Sequence, residues 1–224
     1  MAWDPVWEEI YRSRPWGQYP GEDVVRFVAA NFYGAPVRSD VRLLEVGSGA
    51  GANLWFMARE GVCTHGVEGS GTAVRLSLER LDRGCPDWRH AGGAVMMGPM
   101  APLDYPDDHF DGALDVVAGC YSSFDDSRLI YAELARVVRP GGKLFVRTFA
   151  QGCWGDETGA RVGRDMWACA EGHLVGHGAT RFTKAADVAG LLAGWSVDRV
   201  EHSSITEDGG RHQIKHLLIY ASRR

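Results

Sequence analysis

The stretch Val41–Gly61, VRLLEVGSGAGANLWFMAREG, constrains the fold of this chain more than any other. Val41, Leu43, Leu44 and Val46 form an apolar run too short for a helix and closed by glycine, which predicts a buried strand. Gly47, Gly49 and Gly51 follow, and then Leu54, Trp55, Met57 and Ala58 recur at helical spacing. Strand, glycine turn and helix, in that order, bring backbone N–H groups and the positive end of a helix up to a ligand. Glycine lets the chain turn sharply and lets the ligand approach the backbone. Glu45, at the carboxyl end of the strand, aims an acceptor at the same place. The run G-S-G-A-G-A also satisfies the loose G-x-G-x-x-A pattern of dinucleotide sites. Taken alone, the turn leaves the ligand class open.

Length, charge and cysteine usage narrow the setting. A chain of 224 residues can build one domain with a full core and does not require two. The net charge is −5 and Lys and Arg form no dense block, which argues against a nucleic-acid surface. The start, Met-Ala-Trp-Asp with Glu8 and Glu9 close behind, lacks a basic region followed by an apolar core, so no signal peptide is expected. No apolar run approaches the length of a membrane span. Cys63, Cys85, Cys120, Cys153 and Cys169 are odd in number and lack C-x-x-C spacing, a pattern of free thiols in a reducing cytoplasm.

Residues 1–37 read as an N-terminal helical arm. Trp3, Trp7 and Tyr11 are spaced i, i+4, i+8, which predicts a short amphipathic helix whose aromatics either dock the arm or cover a pocket. A second helix is expected over Glu22–Tyr33, stopped by Gly34 and Pro36. After the glycine turn, 62–67 reads as a second strand leading into Glu68-Gly69-Ser70, where a carboxylate can grip ribose hydroxyls. Ser70 is placed to cap the helix that follows. A weak strand is expected at 94–97 and a buried one over 112–118, with Asp115 near its open end because an unpaired buried acid is costly. The helix over 125–138 is expected to stop at Arg139-Pro140-Gly141-Gly142, ahead of another strand containing Leu144 and Val146.

The set L-L-E-V-G-S-G-A-G, V-E-G-S, L-D-Y-P-D-D-H-F-D and L-A-R-V-V-R-P-G-G-K-L-F-V resembles the class I S-adenosylmethionine-dependent methyltransferases, and among them the small-molecule group near the type-11 methyltransferase domain. The likeness covers roughly residues 38–150, the expected cofactor-binding core. It implies a Rossmann-like, mostly parallel seven-stranded sheet with helices on both faces and an antiparallel last strand. It also implies that Glu45 binds the methionine amino group and that Gly47, Ser48, Gly49, Gly51 and Asn53 line the cofactor. Glu68, with Gly69 and Ser70, would take the ribose, and Asp115 would lie beside the sulfonium end. One departure stands out. Where the family often has Gly-Asp, this chain has Gly98-Pro99-Met100, so adenine is left with apolar contacts such as Met100 and with backbone groups.

Residues 151–180 break the alternation of strands and helices and, following a strand that ends at the cofactor, are expected to cover a substrate. Tyr11, Trp16, Tyr121, Trp154 and Trp167 are the aromatic candidates for its walls. His173 and His177, four apart, are the candidate general bases should the acceptor arrive protonated, and no metal is expected. His109, His202, His212 and His216 are expected at the surface. In residues 181–224, Thr183 should cap a helix through Leu192, and 195–203 with 213–221 should form a hairpin. The reading is a single α/β domain that methylates an O or N atom of a small-molecule acceptor, with S-adenosylhomocysteine as the second product. A nicotinamide-dependent oxidoreductase and a non-catalytic cofactor-binding partner subunit are the alternatives.

Overall fold

The computed structural model describes residues 3–224. Two helices, α1 (Val6–Ser13) and α2 (Glu22–Phe32), precede an alternating core of β1 (Arg42–Val46), α3 (Ala52–Arg59), β2 (Cys63–Glu68), α4 (Gly71–Gly84), β3 (Ala94–Met97) and β4 (Phe110–Val116). The chain continues through α5 (Phe124–Val137), β5 (Val138–Phe149), β6 (Ala160–Gly163), β7 (Met166–Ala168) and β8 (Ala179–Arg181). It ends with α6 (Val188–Leu191), β9 (Trp195–Glu207) and β10 (His212–Arg223).

Seven strands make the main sheet in the order β3-β2-β1-β4-β5-β10-β9. The first five are parallel, and β10 lies antiparallel to both β5 and β9. All the parallel strands therefore end on one edge, and the order reverses at β1, where open α/β sheets form a crevice. Alternation along β1 sends Leu43 to one face, packed with Phe27, Leu54, Met57 and Phe145, and Leu44 and Val46 to the other, packed with Ile130, Leu134 and Trp195. With both faces covered, the central strands read as near-continuous apolar runs.

Two expectations are corrected. The Arg139–Gly142 run lies inside β5 as an irregularity, with Gly141 at φ 76° and the register shifting between Phe110 and Gly112. Thr183 caps nothing: its hydroxyl meets Thr148 at 3.1 Å and receives a hydrogen bond from Arg181, and the chain goes on through a 3-10 turn, Ala185–Asp187, into the single turn α6. The cover contains a three-stranded sheet, β6-β7-β8, and His173 and His177 lie between its strands outside any helix. Gly172, Gly176 and Gly178, at φ 82°, 80° and 76°, hold that segment in left-handed turns.

Candidate active site

The glycine turn between β1 and α3 shapes the crevice. At Gly47 (φ 63°) an added Cβ would fall 2.2 Å from the Cβ of Ala118, so only glycine admits the 117–121 turn so closely. Gly51 serves packing instead, because a Cβ there would meet Ser77 Oγ of α4 at 2.2 Å. It does not line either cavity described below.

Glu45 is buried at the end of β1. Asn53 Nδ2, from the first turn of α3, donates to its Oε1 at 2.6 Å, while Oε2 is buried with no partner among the described residues. Burial pushes its pKa up to about 8 against the opposing bond from Asn53, and the neighbouring Asp115 and Glu68 carboxylates add to the rise. Such a group calls for a cation. Glu68 ends β2 and is also buried, but both of its oxygens are engaged: Gly49 N donates to Oε2 at 2.8 Å and Ser70 N to Oε1 at 2.9 Å. Each carboxylate oxygen retains acceptor capacity for a hydroxyl. Burial raises the Glu68 pKa, and these backbone donors pull it down.

Two cavities meet at this edge. The first is lined by Glu68, Gly69, Pro99, Met100, Ala118 and Tyr121 among others. The second is lined by Glu45, Ser48, Asn53, Val116, Trp16 and Arg147 among others. They share Trp7, Tyr11, Gly47, Val117 and Tyr121. Gly98-Pro99-Met100 gives the first cavity apolar and backbone surface and no acid.

The arm lies over the crevice. Trp3 packs so closely on Gly69 that an added Cβ would stand 2.7 Å from its ring, and the Tyr11 hydroxyl sits closer still over Gly49. Glu8 accepts hydrogen bonds from Ser70 Oγ (2.6 Å), Thr72 Oγ1 (2.6 Å) and Thr72 N (3.2 Å). The two hydroxyls hold its carboxyl down at about 2. Ser70 also caps α4, its Oγ accepting from Ala73 N at 3.1 Å. Docking the arm and covering the pocket are therefore one arrangement. Glu8 is the contributor that sequence reasoning missed, because its partners lie 62 and 64 residues away and leave no local signal.

From the other side the cover reaches the arm at His177. Its ring stacks on Trp7 (5.8 Å, 20°), and its Nε2 accepts a hydrogen bond from the Arg14 guanidinium. A neutral ring accepting at Nε2 carries its proton on Nδ1, so neither nitrogen is free to take a proton from an acceptor. Burial first, then Arg14 and His173, lower its pKa. His173 lines neither cavity and packs on Phe149 at 5.5 Å. The geometry of a base is missing from both histidines. Arg181 of β8 anchors the cover from beneath: wholly buried, it donates to Thr183 Oγ1 at 2.8 Å and to Ser127 Oγ at 3.0 Å.

Other expected site residues are relocated. Asp115 lines neither cavity: its Oδ1 accepts from Ala118 N and Gly119 N, both at 3.0 Å, and its Oδ2 from Tyr131 Oη at 2.8 Å. Its carboxylate shapes the 117–121 turn from behind, so it reaches a ligand only through that turn. Trp154 stacks on His212 at 3.9 Å and Trp167 packs near Phe182, both away from the cavities. Tyr11 and Tyr121 line both cavities and Trp16 the second. His216, expected at the surface, is buried against Phe149 at 4.9 Å and its pKa falls to about 3, through burial and then Arg147. His109 is half-buried, stacked with Tyr105.

Residues 44–146 match the family described as methyltransferase domain. Demethylmenaquinone methyltransferase of Tropheryma whipplei (strain Twist) is 30% identical over 115 residues, covering 51% of this chain and 44% of that protein. The chain thus spans less than half the length of that relative. A solved structure described by the conversion of a disulfide bond into a thioacetal group during echinomycin biosynthesis superposes with a TM-score of 0.70 at 19% identity, covering 98% of this chain and 91% of the other. The Burkholderia thailandensis 1,6-didemethyltoxoflavin-N1-methyltransferase, bound to 1,6-didemethyltoxoflavin and S-adenosylhomocysteine, gives 0.64 at 17% identity over 90% of this chain and 77% of that one. Likeness at these identities speaks to the fold. No helix among the described residues is long and apolar enough to cross a membrane.

Proposed function

We propose that this chain, a class I S-adenosylmethionine-dependent methyltransferase by its family match and fold, transfers a methyl group to an O or N atom of a small-molecule acceptor. The observation that carries the reading is the pair of buried carboxylates at adjacent strand ends, Glu45 with an unpaired oxygen and Glu68 beside the glycine turn. A buried carboxylate without a partner pays its desolvation cost for nothing, and an ammonium group repays it. Ribose hydroxyls suit the remaining lone pairs of Glu68.

On this reading Glu45, steadied by Asn53, holds the amino group of S-adenosylmethionine. Glu68 holds the ribose, and Met100, Ala118 and Tyr121 enclose the adenine. The donor brings an electrophilic methyl carbon on sulfur. The remaining work belongs to the chain: Trp7, Tyr11, Trp16 and Tyr121 confine an acceptor in the second cavity. Holding two reactants in line supplies much of the acceleration in such a displacement. Since His177 is committed to Arg14 and His173 is remote, positioning carries the reaction.

The test is methyl transfer from labelled S-adenosylmethionine to a fractionated pool of small metabolites, with release of S-adenosylhomocysteine as the parallel readout. Stoichiometric label and product support the enzyme. Tight donor binding without turnover on any fraction would instead support a non-catalytic cofactor-binding subunit.

A further inference from the structure

The second cavity contains a cation that the reading above does not use. Arg147 projects from β5, and its side chain is 22% exposed. Its nearest acid is Asp23 of α2, 3.4 Å from Nη1, and its Nε is buried with no hydrogen-bond partner among the described residues. Asp23 is itself partly engaged, since its Oδ1 accepts from Val24 N at 3.1 Å. A guanidinium offers five donors in a planar fork, so most of this one's capacity is uncommitted in a cavity walled by aromatic rings. Structural arginines in this fold look different: Arg136 makes five hydrogen bonds, to Glu133, Asp107, Tyr105 O and Leu103 O. Glu45 is level with Leu114 of β4 and Arg147 with Val116, so the two backbones stand roughly 12 Å apart at ordinary strand spacing. A carboxyl group and a guanidinium thus line one chamber.

We infer that Arg147 is the carboxylate anchor of this cavity, forming a forked ion pair with a ligand carboxylate while Glu45 takes the ammonium. The inference rests on the proposed methyl-donor site. Two ligands bring a carboxylate here, the amino acid end of the donor and an acidic acceptor, and the chemistry that recognises them is the same.

Calorimetric titration separates these sources. One arm compares S-adenosylhomocysteine, its decarboxylated analogue and 5′-methylthioadenosine on the wild type, Arg147→Met and Arg147→Lys. If the donor supplies the carboxylate, Arg147→Met weakens S-adenosylhomocysteine about tenfold or more and leaves the other two unchanged. Arg147→Lys then recovers part of the loss. A second arm titrates benzoate and 4-hydroxybenzoate, each against its primary amide, into protein saturated with S-adenosylhomocysteine. If the acceptor supplies the carboxylate, the acids bind more tightly than their amides and only Arg147→Met abolishes the difference. Unchanged binding in both arms overturns the inference. An equal loss for 5′-methylthioadenosine also overturns it, because the residue would then be structural. If the wild type binds neither S-adenosylhomocysteine nor 5′-methylthioadenosine, the donor reading itself fails.

Discussion

The two walls of the crevice are built in opposite ways. On the β1–β4 side the polar contacts are short in sequence: Asn53 reaches Glu45 eight residues back, and Gly49 N and Ser70 N meet Glu68 across 19 and two residues. On the arm and cover side they are long: Arg14 to His177 spans 163 residues, Glu8 to Ser70 spans 62, and Arg181 to Ser127 spans 54. The first wall uses backbone N–H groups and one side chain, Asn53, all fixed by strand and helix, and the second uses side chains meeting across the opening. On the proposed function, the first wall is a rigid donor site and the second a lid assembled from distant segments, and that lid is the part free to vary with the acceptor.

Several perturbations bear on the contrast. The largest effect is expected from Arg181→Met, which removes the buried tie under the cover. It should lower the local stability of 160–181 by about 2 kcal/mol, roughly thirtyfold in amide protection by hydrogen exchange, with 5′-methylthioadenosine affinity kept. Equal loosening of β1 and β2 would show that the walls are not separate. Next, Glu68→Ala should weaken S-adenosylmethionine binding more than tenfold by calorimetry, since ribose hydroxyls lose a charged partner. An unchanged dissociation constant in the folded variant removes Glu68 from the site.

A graded effect follows from Glu45. Its pKa is raised to about 8, so at neutral pH it is largely protonated before binding, and the ammonium needs the carboxylate. Affinity should therefore rise with pH by up to about tenfold per unit until about pH 8, with a proton released on binding. Calorimetry in buffers of different ionisation enthalpy measures that proton. The smallest effect is on the lid. Glu8 is held at about 2, below the 4.5 of the free carboxyl, so its contribution to arm docking is whole above pH 4.5 and lost as pH falls toward 2. Glu8→Gln should flatten that acid dependence of tryptophan fluorescence, and a retained transition would assign it to another group.

The same contrast explains what was legible in the sequence. The glycine turn, Glu45, Glu68, the Ser70 cap and even the weak strand Ala94–Met97 were readable because strand, turn and cap signals act within a few residues. The Trp154 and Trp167 positions, the burial of His216 and the true work of Thr183 were not, because each is decided by partners far along the chain. Asp115 is instructive. Its place at a strand end was legible, but its carboxylate turns back to hold Ala118 N and Gly119 N. Arg147 carried no pattern at all, since only the fold brings β5 alongside β4 and β1.

Parallel calorimetric titrations with S-adenosylmethionine, S-adenosylhomocysteine and NAD test the central claim most directly. The account predicts micromolar binding of the first two and none of NAD. Binding of NAD alone would contradict it, and the glycine turn would then belong to a dinucleotide site.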